Sequence, residues 1–157
     1  EYLIEMSLDA IATRPLRPFI GKVQSGMGNF SIWMKVLSEF YREKTGIKLF
    51  PGTLNVQLEA DYNLPDQRIR LEAREYGGNV SVNIIPCKIF NQPAFVLRTD
   101  ANDAGLGDHP RIIVEITAEV KLRDRFGLKD DDQVELWLPQ ARNPEITSDK
   151  GWIWLWS

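Results

Sequence analysis

The sequence has few of the residues from which compact metal and redox centres are built: one cysteine, Cys87, and one histidine, His109, in 157 residues. A lone cysteine excludes an internal disulfide framework and a cysteine-built zinc site. A single histidine beside it leaves no imidazole–thiolate ligand set. Cys87 reads as a small packing residue. Excess positive charge is missing as well. The 19 Lys and Arg are outnumbered by 22 Asp and Glu, for a formal charge of −3. The basic surplus typical of a nucleic-acid binder is therefore absent, although a local basic site is not excluded. No stretch approaches the ~18 apolar residues of a membrane-spanning helix. No secretory signal follows Glu1-Tyr2-Leu3, which points to a cytoplasmic location and leaves the sequons at Asn29 and Asn79 without weight. The missing initiator methionine points to a chain that begins inside a longer reading frame. There is no internal repeat and no low-complexity segment.

What is present suffices for one domain: 43% hydrophobic and 26% charged residues, in a length that buries a core without staples. Residues 1–18 read as a lead-in, because Pro15 and Pro18 break any helix begun by Leu8, Ile11 and Ala12. The compact domain is expected over 19–138. The loop Pro139–Pro144 then opens a Trp-rich extension, 139–157. Trp152, Trp154 and Trp156 alternate there, as on one face of a strand. Such a strand could be an added edge, a ligand platform or an oligomer contact.

Ile20–Gln24 reads as a strand and Ser25–Asn29 as a flexible turn. Trp33, Val36, Leu37, Phe40 and Tyr41 then form an apolar stripe at helical period. One substantial helix is expected over about 31–45, capped by Ser31 and ended at Gly46. Afterwards the period becomes two: Leu54-Val56-Leu58, Val80-Val82-Ile84 and Val134-Leu136-Leu138 are half-buried strands. A strand near 68–75 joined through Tyr76–Asn79, strands at Ala94–Arg98 and Ile112–Ala118, and a helical turn at Leu122–Phe126 complete the reading. The fold class is mainly β, a small barrel or sandwich with one main helix.

Four features could carry chemistry. Gly26-Met27-Gly28 lies between a strand and a helix, where free backbone amides suit a phosphate. Without a third glycine or a Walker-type lysine, it reads by itself first as a structural turn. Thr53 and Asn55 point away from Leu54, Val56 and Leu58, together. Their hard oxygens could hold Mg2+, or they could simply face solvent or a loop. Glu115 interrupts the apolar run Ile112–Ile116, either as a group acting on a substrate hydroxyl or on a solvent face. Lys121, Arg123 and Arg125 suit a triphosphate, or pair with Asp124 and the acidic run 130–132. That run itself reads as a solvated turn.

Taken in order, Gly21–Gly28, Pro51-Gly52-Thr53-Leu54-Asn55-Val56-Gln57-Leu58, and Val114-Glu115-Ile116 followed by Lys121–Asp130 resemble the CTP-dependent riboflavin kinases best known from archaea. The resemblance spans roughly residues 20–138. It implies a six-stranded cradle-loop barrel that transfers the terminal phosphoryl group of CTP to riboflavin, giving FMN and CDP. It also implies that Gly26, Met27, Gly28, Asn29, Phe30, Ser31, Val120, Lys121, Leu122 and Arg123 hold the nucleotide. Thr53 and Asn55 would bind Mg2+, and Glu115 would contact the flavin and serve as candidate base. The chain departs from the family at Phe30 and Ser31, which leaves CTP or ATP open as donor. It departs also at Gly107, where the family has a flavin-binding threonine; Thr99, before the inserted loop Asp100–Asp108, is the candidate substitute. The turn 130–132 is Asp-Asp-Asp in place of Asp-Gly-Asp. Alternatives are a barrel that binds nucleotide or flavin without transfer, and a kinase variant with another nucleotide or acceptor. A DNA-binding barrel is disfavoured by the charge.

Overall fold

The computed structural model describes residues 15–26 and 30–140. Seven strands alternate with short helices: β1 (Leu16–Gln24), α1 (Phe30–Val36), α2 (Ser38–Thr45), β2 (Leu54–Leu58), β3 (Ile69–Leu71), α3 (Ala73–Tyr76), β4 (Val82–Ile89), β5 (Gln92–Thr99), α4 (Asp100–Asp103), β6 (Ile113–Thr117), α5 (Leu122–Arg125) and β7 (Gln133–Pro139). The sheet runs β3-β4-β5-β6-β2-β1-β7, and a β4–β7 pairing closes six antiparallel strands into a barrel with β3 added outside the ring. Closure removes the free edges that a six-stranded open sheet would expose. Among the described residues no helix is long and apolar enough to cross a membrane.

Two cores lie on the two sides of the barrel wall. Inside are Val23, Val56, Ile85, Ile89, Val96, Val114, Ile116, Leu136 and Leu138. On the outer face of β3, β4 and β5, Ile69, Leu71, Ile84 and Leu97 pack against Met34, Leu37 and Tyr41. β5 is thus covered on both sides, which is why Ala94–Leu97 reads as an unbroken apolar run and not as alternation.

The register sets one outward-facing row across the wall. Gln24 of β1 pairs with Asn55 of β2, Asn55 with Glu115 of β6, and Glu115 with Leu97 of β5. Leu97 pairs on with Ile84 of β4, and Ile84 with Ile69 of β3. One half of this row is polar and the other apolar. The helices cover the apolar half, so Glu115 marks the boundary between the outer core and a polar surface.

Several expectations need correction. The single helix of 31–45 is two, broken at Leu37, whose ψ of 24° departs from helical geometry. The covered ridge is Met34-Leu37-Tyr41, while Trp33 and Val36 of the expected stripe are 52% and 66% exposed. Apolar residues occupy more than one side of this helix, so periodicity alone does not say which side is covered. Gly46 does end the second helix, with a left-handed φ of 81°. The strand near 68–75 is only Ile69–Leu71, because Glu72 and Glu75 form a reciprocal capping box that starts α3 instead. β1 begins at Leu16, inside the stretch read as lead-in, since Leu16 pairs with Pro139. β4 and β5 join through Phe90 and Asn91, at φ 50° and 60°, and Phe90 stacks on Phe126 at 4.2 Å. The Trp-rich tail lies outside the described residues.

Candidate active site

The polar half of the row opens on a cleft of about 620 Å³. Its walls are the turn after β1 (Gln24, Ser25, Gly26), the start of α1 (Phe30, Ser31), the segment Phe50–Thr53 with Asn55, and Lys121 with Arg123. A smaller pocket of about 80 Å³ adjoins it beneath Val120 and Leu122. The topology therefore brings the three sequence blocks together. Met27, Gly28 and Asn29 lie outside the described residues. Leu122 reaches the site from the interior core, only 3% exposed, so its side chain is packing, whereas Lys121 and Arg123 present cations.

Thr53 stands just ahead of β2, and its hydroxyl donates a 2.8 Å hydrogen bond to Glu115 Oε1. Asn55, one step into β2, is 7% exposed, and its buried Oδ1 has no hydrogen-bond partner. An orphaned buried carbonyl costs free energy unless a ligand satisfies it. Gly26 leaves it room: a Cβ there would lie 1.6 Å from Asn55 Nδ2. Any larger residue in that turn would push the amide aside.

Glu115 is 4% exposed. Burial raises its carboxyl above the ordinary range, while the Thr53 hydrogen bond and the neighbouring His109 ring and Arg98 guanidinium pull it back. Its solvent-face reading is thereby corrected: the side chain lies on the outer face of β6 but is buried there, and the carboxylate is tolerated because it is partnered. Burial likewise raises the Tyr41 hydroxyl, with Tyr76 and Glu115 adding to it.

Asp130 joins two walls of the cleft. Its carboxylate accepts from Ser25 Oγ at 2.6 Å and from Arg123 at 3.0 Å, and both hold it below the usual carboxylate range. Arg123 also donates to the Gln24 carbonyl. The acidic run is therefore more than a solvated turn. Asp131 takes the left-handed position, φ 75°, and its N–H bonds Val23 O at 2.7 Å.

Thr99 stands apart from the cleft. Its hydroxyl accepts from Asn102 N at 3.1 Å and caps α4. Gly107 packs on the same asparagine, with a Cβ there only 1.8 Å from Asn102 Oδ1, so a threonine cannot occupy this loop as folded. Sequence reasoning missed Gln24, Ser25 and Phe50. The first two adjoin the glycine turn and Phe50 precedes Pro51, so proximity to recognised blocks is the available signal. It also missed His109, for which no local signal exists.

No three His, Cys, Asp or Glu gather into a metal cluster among the described residues. Thr53 and Asn55, which both line the cleft, offer hard, neutral oxygens, Thr53 Oγ1 and the orphaned Asn55 Oδ1. They fit an ion such as Mg2+ that keeps its other positions for water and phosphate.

The family model of the CTP-dependent riboflavin kinase domain, described as a domain of unknown function, DUF120, matches residues 23–138. A riboflavin kinase from Pyrobaculum aerophilum is 35% identical over 133 residues, covering 74% of this chain and 58% of that protein. One from Methanocella arvoryzae is 30% identical over 127 residues, covering 75% and 55%. One from Pyrococcus abyssi is 29% identical over 145 residues, covering 85% and 65%. The chain thus spans a little over half the length of the first two of these relatives.

Proposed function

This chain belongs to the CTP-dependent riboflavin kinase family, and from that premise we propose that it transfers the terminal phosphoryl group of CTP to riboflavin, giving FMN and CDP, with Mg2+. The observation that carries the reading is the convergence in one cleft of an orphaned amide oxygen at Asn55, the Thr53–Glu115 hydrogen bond and the cations Lys121 and Arg123.

Phosphoryl transfer asks a protein mainly for positioning and for neutralisation of charge. Lys121 and Arg123 attract the phosphates, and Asp130 holds the Arg123 guanidinium toward the turn that carries Gly26. Phe30 and Phe50 line the same space, and aromatic side chains suit a planar base. Thr53 and Asn55 would hold Mg2+, which when bound neutralises developing phosphate charge. Glu115 sits one hydrogen bond from Thr53 and, as the carboxylate, can orient the acceptor hydroxyl and take its proton, burial having raised its affinity for one.

The test is an assay of riboflavin and Mg2+ with CTP and ATP in separate reactions, FMN being read by chromatography. FMN from CTP alone supports the full reading. FMN from ATP keeps the kinase and overturns the donor. No FMN from folded protein overturns transfer and leaves a binding barrel.

A further inference from the structure

The loop that follows β5 ends in the only histidine of the chain, and it delivers that side chain to Glu115. His109 Nε2 lies 3.9 Å from Glu115 Oε2, on the side of the carboxylate opposite the Thr53 hydroxyl, which holds Oε1. The ring is largely covered, and Nε2 itself is buried without a hydrogen-bond partner. A buried ring nitrogen left in that state costs free energy unless a small shift supplies a partner, and the nearby carboxylate oxygen is the acceptor within reach.

The loop is built to put it there. Thr99 Oγ1 caps α4 through Asn102 N, and Asn102 Oδ1 accepts from His109 N at 3.3 Å. Gly107 gives Asn102 the space to do so. Arg98, the other basic side chain near Glu115, is engaged by the Tyr62 and Arg111 carbonyls and by Asp103.

We propose that His109 is a positioning residue for Glu115: its Nε2–H clamps Oε2 as the Thr53 hydroxyl clamps Oε1, and the two fix the plane of the carboxylate toward the acceptor hydroxyl. The proposal rests on the kinase reading for its consequence in turnover, but its geometry can be read without it.

Two variants and one spectrum test it. H109F keeps a planar ring and removes the N–H, whereas H109Q keeps an N–H near the Nε2 position. The expected result is a fall in kcat of tenfold to a hundredfold, on the order of what misplacement of a reacting group costs, in H109F. KM for the nucleotide should stay unchanged, and H109Q should recover most of the rate. Equal rates in H109F and wild type, or equal damage in H109F and H109Q, overturn the proposal. Because one histidine is present, the imidazole 15N spectrum of the protein reports on His109 alone, with or without turnover. A ring protonated at Nε2 whose Nε2 signal moves in E115Q is expected. A ring whose Nε2 carries no proton and ignores E115Q overturns the proposal. If the wild-type protein makes no FMN, the kinase reading falls and the spectrum alone decides the clamp.

Discussion

Asn55 and Glu115 are register partners on adjacent strands of the barrel wall, both nearly excluded from solvent, and both turned away from the interior. One brings a neutral oxygen without a partner and the other a carboxylate tied to Thr53. This places a metal-suited oxygen and a candidate base side by side on a rigid sheet instead of on mobile loops, as precise chemistry requires.

Removing the oxygens should therefore impair catalysis. T53V and N55A are each expected to lower FMN formation by on the order of a hundredfold, comparable to losing one preorganised transition-state contact. The melting temperature of N55A should stay close to that of the wild type, whereas T53V, which strips the buried Glu115 of its hydrogen bond, should melt lower as well. Rates measured over a Mg2+ series check this, and wild-type rates at any Mg2+ concentration would count against both residues as ligands.

Gly26 supplies a second test from the opposite wall. G26A places a methyl group against the Asn55 amide, so the side chain must shift. The expected result is a raised Mg2+ requirement with the barrel still folded, read by circular dichroism beside the kinetics.

The raised carboxyl of Glu115 has a consequence for stability. Its native form holds a proton more tightly than the unfolded chain does, so the native state binds more protons between the ordinary value of 4.5 and its own raised value. In that window stability falls as pH rises, and below it the effect is fully relieved. E115Q removes this dependence. Melting curves in metal-free buffer from pH 4.5 upward should show the wild type losing ground to E115Q as pH rises; parallel curves would contradict the shift.

The helix break at Leu37 makes a contrast in packing. Met34 is 3% exposed and Trp33 52%, so M34A should cost about 2–5 kcal/mol and W33A under about 1 kcal/mol, read by denaturant unfolding. The reverse order would restore the stripe expected from sequence.

At the β4–β5 turn, Asn91 holds φ 60° without being glycine. Asparagine tolerates the left-handed region, so N91G should change stability by less than about 1 kcal/mol, the small strain relieved and the entropy glycine adds nearly cancelling. F90G gains the same freedom but gives up the stack on Phe126, and is expected to be the less stable of the two.

Much of this was legible in the sequence wherever one physical period dominated. Leu54, Val56 and Leu58 alternate, so the opposite orientation of Thr53 and Asn55 followed, and Glu115 stood out as a charge in an apolar run. What was not legible depended on neighbours distant in sequence. Trp33 and Met34 are equally apolar, and only the outer face of β3–β5 chooses between them. The turn at Phe90-Asn91 has no glycine to announce it; Phe126, 36 positions on, stacks there. His109 meets Glu115 only through the path of a ten-residue loop that periodicity does not describe. The tie of Asp130 to Ser25 spans 105 positions, and charge pattern alone gave no sign of it.

The pairing of Leu16 with Pro139 brings the first and last strand residues of the barrel opposite one another on neighbouring antiparallel strands, about 5 Å apart. Polypeptide entering at one and leaving at the other does so through a single doorway. The fold is thus a cassette: it can be spliced into a surface loop of a host protein, or cut at the Phe90-Asn91 turn and rejoined end to end, without stretching any strand.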